Sequence, residues 1–250
     1  MKIAMFGGSF NPLHIGHAMV AEAVMNECGY ERILFIPTFV PPHKELSGSV
    51  NVSAQDRLNM VQAFCNSVKI PGGEFVCESC EFERGGVSYT IDTVRTLYKK
   101  YEGTFEGKIG LIMGEEIGAE FYKWKNASEL IQLCDLIIVP RRPGALGVKN
   151  ESEAEEKKSA GPEAASSDAV QFSNAVKNRP AHSYKGDFNS KFDRQKLEDE
   201  GFPCTVLSEP VLALSSTEIR LRIAGKKSWR YLVPEPVFDY IESNGLYKNI

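Results

Sequence analysis

Two histidines three residues apart, set directly behind a pair of glycines, offer the first chemistry in the chain. The run is Gly7-Gly8-Ser9-Phe10-Asn11-Pro12-Leu13-His14-Ile15-Gly16-His17. With no Cβ at Gly7 and Gly8 the backbone can turn tightly and bring its N–H groups close to a phosphate. A helix opening near His14 or Ile15 adds its positive end at the same place. His14 and His17 then share one face of the first helical turn, both able to donate to a polyphosphate. The chain has only 4 histidines, so finding two of them in this turn favours a ligand role over a structural one. A second segment is Ser215-Ser216-Thr217-Glu218-Ile219-Arg220. Taken alone its hydroxyl residues are ordinary helix caps. Arg220, however, falls one turn in and can reach back to anions held at the helix start. Together the two segments predict two helix N-termini converging on one polyphosphate.

The elements that must position these residues alternate between strand and helix patterns. Lys2–Phe6, Arg32–Ile36, Glu74–Phe82, Lys108–Met113, Asp135–Pro140 and Cys204–Leu207 read as strands, most of them short apolar runs. Helical spacing runs from Ile15 to Cys28 and stops at Gly29. A helix capped by Ser53, with Asp56 in its first turn, carries Leu58, Met60, Val61 and Phe64 on its apolar side. Further helices are expected from Ser88 or Tyr89 to Tyr101, over Glu116–Trp124 and Ser128–Leu133, after Ser216-Thr217, and from about Pro236 to Asn244. Residues 37–52, with three prolines, a glycine and serines, form a loop. Strands separated by helices predict an α/β fold, a doubly wound parallel sheet with helices on both faces.

Composition sets the frame. The chain has 250 residues, 42% hydrophobic and 25% charged, with a net charge of -4. It can bury a core without staples, and it has no basic block to mark a nucleic-acid partner. No apolar run spans a bilayer, and Met1-Lys2 leads straight into a strand rather than a signal peptide, so the expected location is cytoplasmic. The stretch from about 145 to 200 departs from the rest. It is rich in Glu, Lys, Ser, Ala and Asn, and Glu151 to Asp168 holds no large apolar residue. Such a composition buries too little surface to offset chain entropy, and predicts a flexible insertion in one domain spanning 1–250. The 6 cysteines lack framework spacing and are expected to be reduced core fillers. Cys77 and Cys80 form a C-x-x-C, but Phe75–Cys80 reads as an alternating strand that points the two thiols to opposite faces. No second ligand pair stands near enough for a structural metal.

The combination G-G-S-F-N-P-x-H-x-G-H with a distal S-S-T-x-x-R resembles the nucleotidyltransferase superfamily, whose histidine motif is shared with class I aminoacyl-tRNA synthetases. Pro41-Pro42-His43-Lys44, Ser88-Tyr89-Thr90-Ile91-Asp92-Thr93, Trp124 after the Gly114 loop, Arg141-Arg142-Pro143-Gly144, and Tyr240-Ile241 with Gly245-Leu246-Tyr247 narrow the resemblance to bacterial nicotinate-nucleotide adenylyltransferases. The resemblance implies transfer of AMP from ATP to nicotinate mononucleotide with Mg²⁺ bound mainly through the ATP phosphates, and no metal site of the protein's own. It implies that His14, His17 and Arg220 are catalytic. Gly7, Gly8, Ser9, Phe10, Ser215, Ser216, Thr217 and Glu116 would bind ATP. Lys44, Thr90, Trp124 and Arg141 would bind the mononucleotide, Trp124 by stacking on the pyridine ring. ATP and nicotinate mononucleotide are the implied partners, with no nucleic acid and no membrane; association with further copies of the chain is left open. Two departures stand out. Gly114-Glu115-Glu116 replaces the family's Gly-Ala-Asp, a carboxylate one methylene longer, and the connection from Arg142 to Ser215 is far longer than usual. The alternatives within the superfamily are a nicotinamide-mononucleotide or a phosphopantetheine adenylyltransferase, the latter disfavoured because that family has threonine where His14 stands. From other classes come a nucleotide sensor without catalysis and an RNA-binding synthetase fragment. Both histidines with Arg220 argue against the sensor, and the lack of a basic surface argues against the fragment.

Overall fold

A computed structural model describes residues 1–41, 52–140, 193–209, 211–212 and 214–248. Lys44, Arg141 and the stretch 145–192 of the expected insertion lie outside them. The described residues on either side of 141–192 form one compact unit. Six strands, β1 (Ile3–Gly8), β2 (Arg32–Pro37), β3 (Glu74–Cys77), β4 (Ile109–Gly114), β5 (Cys134–Val139) and β6 (Cys204–Val206), form a wholly parallel sheet in the order β3-β2-β1-β4-β5-β6. Consecutive strands build outward from β1 in one direction and from β4 in the other. The topological switch therefore falls between β1 and β4, where such sheets open a crevice beyond their carboxyl ends.

Strand alternation divides the core into two layers, as a parallel sheet covered on both faces requires. Ala4, Ile33, Phe35, Ile112 and Ile137 face helices α1 (Ile15–Cys28), α2 (Ala54–Ser67), α8 (Ser216–Ala224) and α9 (Glu235–Ser243). Ile3, Met5, Leu34, Ile36, Leu111, Met113 and Ile138 face α4 (Thr90–Lys100), α6 (Ala127–Leu133) and α7 (Arg194–Asp199). Helix α1 has the expected limits, and Gly29 closes it at φ 70, a left-handed turn that favours glycine. At the start of α2, Ser53 and Asp56 exchange hydrogen bonds as a capping box, the Asp56 N–H donating to Ser53 Oγ at 3.0 Å and the Ser53 N–H to Asp56 Oδ2 at 2.8 Å.

Four expectations need correction. The third strand ends at Cys77 rather than Phe82, and a short helix, α3 (Cys80–Arg84), follows. Its cause is Glu78, a buried carboxylate that accepts from the Cys80 N–H (3.1 Å), Lys100 Nζ (2.8 Å) and the Tyr101 hydroxyl (2.7 Å). A buried charge needs these partners, and meeting them turns the chain out of the ladder. The helix expected over Glu116–Trp124 is broken into α5 (Glu115–Gly118) and a single 3-10 turn, Phe121–Lys123, whose buried Phe121 supplied the apolar signal. Leu58 is only half-buried; Arg57 takes the core-facing position with Met60, Val61 and Phe64. Finally, the described end of the polar stretch is helical: α7 buries Leu197 against the second layer. Among the described residues no helix is long and apolar enough to cross a membrane.

Candidate active site

Gly7 and Gly8, expected to form the turn, are instead the last residues of β1, paired with Ile36 and Pro37; the chain turns just beyond them, at Asn11-Pro12, beside the switch point. Thr38 N–H donates to the Gly8 carbonyl at 2.9 Å, so the β1 turn and the segment leaving β2 start out joined. Phe10 occupies a left-handed backbone position at φ 44, uncommon for a side chain of this size. Its ring is 2% exposed and packs edge-on to Phe6 at 5.7 Å, so only its backbone can meet a ligand. Strain of this kind persists where the surroundings over-determine it. Here the ring is gripped by Phe6, Phe35 and His17.

His14 is the N-cap of α1 and His17 stands in its first turn. Their rings stack at 3.6 Å with 23° between planes, and His17 also meets the edges of Phe10 at 5.1 Å and Phe6 at 5.8 Å. The His14 N–H donates to His17 Nδ1 at 3.1 Å. That bond needs a lone pair on Nδ1, so in the neutral ring the proton is on Nε2, which makes that nitrogen the ring's donor. Gly16, between the two histidines, is buried. A Cβ there would lie 2.9 Å from the Leu212 carbonyl oxygen and 3.1 Å from His14 Nδ1.

The distal serine segment closes on the same turn. Ser215 caps α8 by accepting from the Glu218 N–H at 3.1 Å. Ser216 Oγ donates to the Pro12 carbonyl at 2.9 Å, and Arg220 Nη1 to the Asn11 carbonyl at 2.8 Å. Arg220 Nη2 also donates to Thr217 Oγ1 at 3.1 Å, and the other N–H groups of the guanidinium remain for an anion. Sequence positions about two hundred apart thus put the N-termini of α1 and α8 around one loop. A second group gathers at α4. Thr90 is its first residue, and Lys125, next to Trp124, reaches Asp92 Oδ2 at 3.1 Å while lying 4.4 Å from the centre of the Tyr89 ring. The Trp124 turn and the start of α4 are thereby held together. Trp124 is half-buried, 5.3 Å from the Phe121 ring, and Glu116 is exposed in the first turn of α5 beyond β4.

Two site-forming residues had no role in the sequence reading: Arg57, which it passed over, and Tyr247, which it quoted only as part of Gly245-Leu246-Tyr247. Arg57 is 1% exposed and donates to three backbone carbonyls: Ser9 at 2.9 Å, Thr38 at 2.6 Å and Phe39 at 3.2 Å. Burial lowers its pKa, and the nearby Glu81 carboxylate counters only part of that. The Tyr247 hydroxyl donates to Asn11 Oδ1 at 2.7 Å, and burial holds the phenol above its ordinary pKa, so it stays a donor. One signal was available for Arg57: a charged residue in register with Met60, Val61 and Phe64 on an apolar helix face needs buried partners.

The C-x-x-C stands at a strand-to-helix turn, unlike the expectation from its alternating pattern, yet it is not a reactive dithiol. Burial, reinforced by Glu78, pushes the Cys77 and Cys80 thiols up to about 12. Thiolate is the reacting form, so both are expected to alkylate at pH 8 roughly a thousandfold more slowly in the native protein than after unfolding. Mass spectrometry of iodoacetamide-treated samples measures this; rapid labelling of the native protein would contradict the burial. All 6 cysteines are free.

Comparison with known proteins agrees with this arrangement. A model of the cytidylyltransferase-like family matches residues 5–222. A protein of Treponema pallidum (strain Nichols) named "Probable nicotinate-nucleotide adenylyltransferase" is 34% identical over 249 residues, covering 100% of both chains. A protein of the same name from Caldicellulosiruptor bescii is 30% identical, covering 99% of this chain and 100% of the relative. The stretch expected as an insertion therefore lies within the compared region. Among solved structures, Plasmodium falciparum nicotinic acid mononucleotide adenylyltransferase complexed with NaAD has a TM-score of 0.63 at 16% identity, covering 98% of this chain and 97% of that one. At that identity the likeness is one of fold. With the turn after β1, the paired histidines and the capped distal helix meeting at the sheet's switch point, and with similarity running the length of the chain, the protein belongs to the cytidylyltransferase-like family and, within it, to the nicotinate-nucleotide adenylyltransferases.

Proposed function

We propose that the protein transfers the adenylyl group of ATP to nicotinate mononucleotide, giving deamido-NAD and pyrophosphate in NAD biosynthesis. A phosphate oxygen of the mononucleotide attacks the α-phosphorus in line, the bond to the oxygen bridging the α- and β-phosphates breaks, and pyrophosphate leaves. No side chain needs to bond to the nucleotide, so the work is positioning and charge stabilisation. The observation that carries this reading is the locking of two helix N-termini, α1 and α8, onto the one Asn11-Pro12 turn that follows β1, by Ser216 and Arg220.

In this reading the backbone N–H groups of the Gly7–Phe10 segment, with the Ser9 side chain, approach the ATP phosphates. His14 and His17 stabilise charge that grows on them during transfer. The Ser215 and Thr217 hydroxyls, the backbone N–H of Ser216 (whose hydroxyl is given to Pro12) and Arg220 hold the β- and γ-phosphates, and Glu116 lies toward the adenosine. Thr90 and the Trp124 ring frame the pyridine. Lys44 and Arg141, outside the described residues, belong to the mononucleotide side by the resemblance. Enzymes of this kind use Mg²⁺ with ATP. Histidine, hydroxyl, arginine and backbone N–H donors suit phosphate oxygens rather than a hard cation. Among the described residues no group of three or more His, Cys, Asp or Glu offers a metal its own cage. Mg²⁺ carried on the triphosphate would supply neutralisation of the charge on the departing pyrophosphate. The body built by both ends of the chain is one nucleotidyltransferase domain, with the insertion between β5 and α7.

Pyrophosphate release from ATP and Mg²⁺, measured in parallel with nicotinate and nicotinamide mononucleotides, tests the assignment. Faster turnover of the nicotinate form is expected. Equal or better turnover of the amide overturns the choice of substrate. Binding of ATP with no pyrophosphate from either would point to a nucleotide sensor.

A further inference from the structure

The loop that would meet the phosphates is tied from behind at every residue from Ser9 to Pro12. The Ser9 carbonyl accepts from Arg57, the Asn11 carbonyl from Arg220, the Asn11 side-chain oxygen from Tyr247, and the Pro12 carbonyl from Ser216. Phe10 is held by its buried ring. Occupying the acceptors on the protein side leaves the opposite side of the turn to present donors. Arg57 does more than secure this turn, since the same Nη1 that binds the Ser9 carbonyl also binds that of Thr38, and Nη2 binds Phe39. Phe39 is held a second time, its N–H donating to Glu81 Oε2 at 3.2 Å. Glu81 is in turn fixed by the Thr93 hydroxyl at 2.8 Å. Thr38 and Phe39 lead into the Pro41-Pro42-His43-Lys44 segment. Arg57 therefore joins the loop of one substrate to the approach of the loop of the other.

We propose that Arg57 and Tyr247 are positioning residues of the adenylyl transfer: Arg57 sets the distance between the phosphate turn and the Thr38–Phe39 segment leaving β2, and Tyr247 orients the Asn11 end of the phosphate turn. Both are buried behind the loop they hold, 1% and 2% exposed, and act through its backbone and the Asn11 side chain. The inference rests on the adenylyltransferase reading of the site. The two ties have separable consequences. Among the described residues the Tyr247 hydroxyl hydrogen-bonds to the β1 loop alone, so losing it should lower kcat and leave the KM for nicotinate mononucleotide unchanged. Arg57 holds both the β1 loop and the Thr38–Phe39 segment leaving β2, so weakening it should lower kcat and raise that KM together.

Steady-state kinetics of Tyr247→Phe, Arg57→Lys and Arg57→Ala, with both substrates varied well below each variant's thermal midpoint, provide the test. Tyr247→Phe is expected to lose about threefold to tenfold in kcat, and Arg57→Lys about tenfold with a severalfold rise in KM for the mononucleotide. Added guanidinium should restore part of the kcat of Arg57→Ala. Should that variant not fold, the other two carry the test. Variants with lower thermal midpoints but wild-type kcat and KM would make the ties merely structural and overturn the proposal. If the wild-type protein turns over neither mononucleotide, the functional reading fails separately. The ties are then judged by ATP titration calorimetry: weaker ATP binding in Tyr247→Phe and Arg57→Lys supports them, and unchanged binding overturns them.

Discussion

His17→Ala is expected to lower the turnover of ATP with nicotinate mononucleotide by about 10²-fold or more, the scale of losing one preorganised donor at a developing charge. The expectation comes from how the ring is held. The His14 N–H occupies Nδ1 at 3.1 Å, so the neutral tautomer has Nε2–H as its donor. Stacking on His14 at 3.6 Å, with Phe10 at 5.1 Å, keeps that nitrogen from turning away. Alanine also strands the His14 N–H, so a modest fall in thermal midpoint should accompany the loss. Rates of pyrophosphate release at saturating substrates, with the midpoint measured alongside, separate the two effects. A variant with wild-type turnover would remove His17 from the chemistry.

Gly16→Ala should cost a comparable factor without removing any donor. Its Cβ would stand 2.9 Å from the Leu212 carbonyl oxygen and 3.1 Å from His14 Nδ1. Real Cβ atoms do not approach backbone so closely, so either the segment carrying Leu212 moves or α1 shifts. The His14 ring must give as well, and it is the surface on which His17 stacks. A displacement of about 1 Å in such a group costs about 10²-fold in rate. Overpacking adds about 1–3 kcal/mol of destabilisation. Both are measurable, the first as kcat and the second by denaturant unfolding. Wild-type kcat in a folded Gly16→Ala protein would show that the histidine pair tolerates rearrangement.

Much of this site could be read in the sequence because the interactions that form it are local. Helix α1 begins and ends where its periodicity and Gly29 place it, and Ser53 and Ser215 cap α2 and α8 through hydrogen bonds that reach only three residues ahead. Where the reading failed, a tertiary demand overrode a local pattern. Phe75 to Cys80 alternates like a strand, but Glu78 is drawn into the core to meet Lys100 and Tyr101, and the ladder stops at Cys77. Phe121 carries apolar periodicity without a helix because one buried ring in a 3-10 turn fills the same space. Leu197 anchors α7 in a stretch whose average composition is polar, since one apolar residue with a cavity to fill is enough for six residues of helix.

The amino-acid sequence alone determined the kind of fold, the histidine pair on one helical face and the capped distal helix, because capping and periodicity act over a few residues; Gly7 and Gly8, read as a turn, are instead drawn into the β1 ladder by pairing with Ile36 and Pro37. Only the tertiary structure decided that Arg57, 48 residues from Ser9, and Tyr247, 236 residues from Asn11, hold the turn from behind. Such pairings depend on which ends of which helices the sheet order brings to the switch between β1 and β4, and no local pattern encodes that.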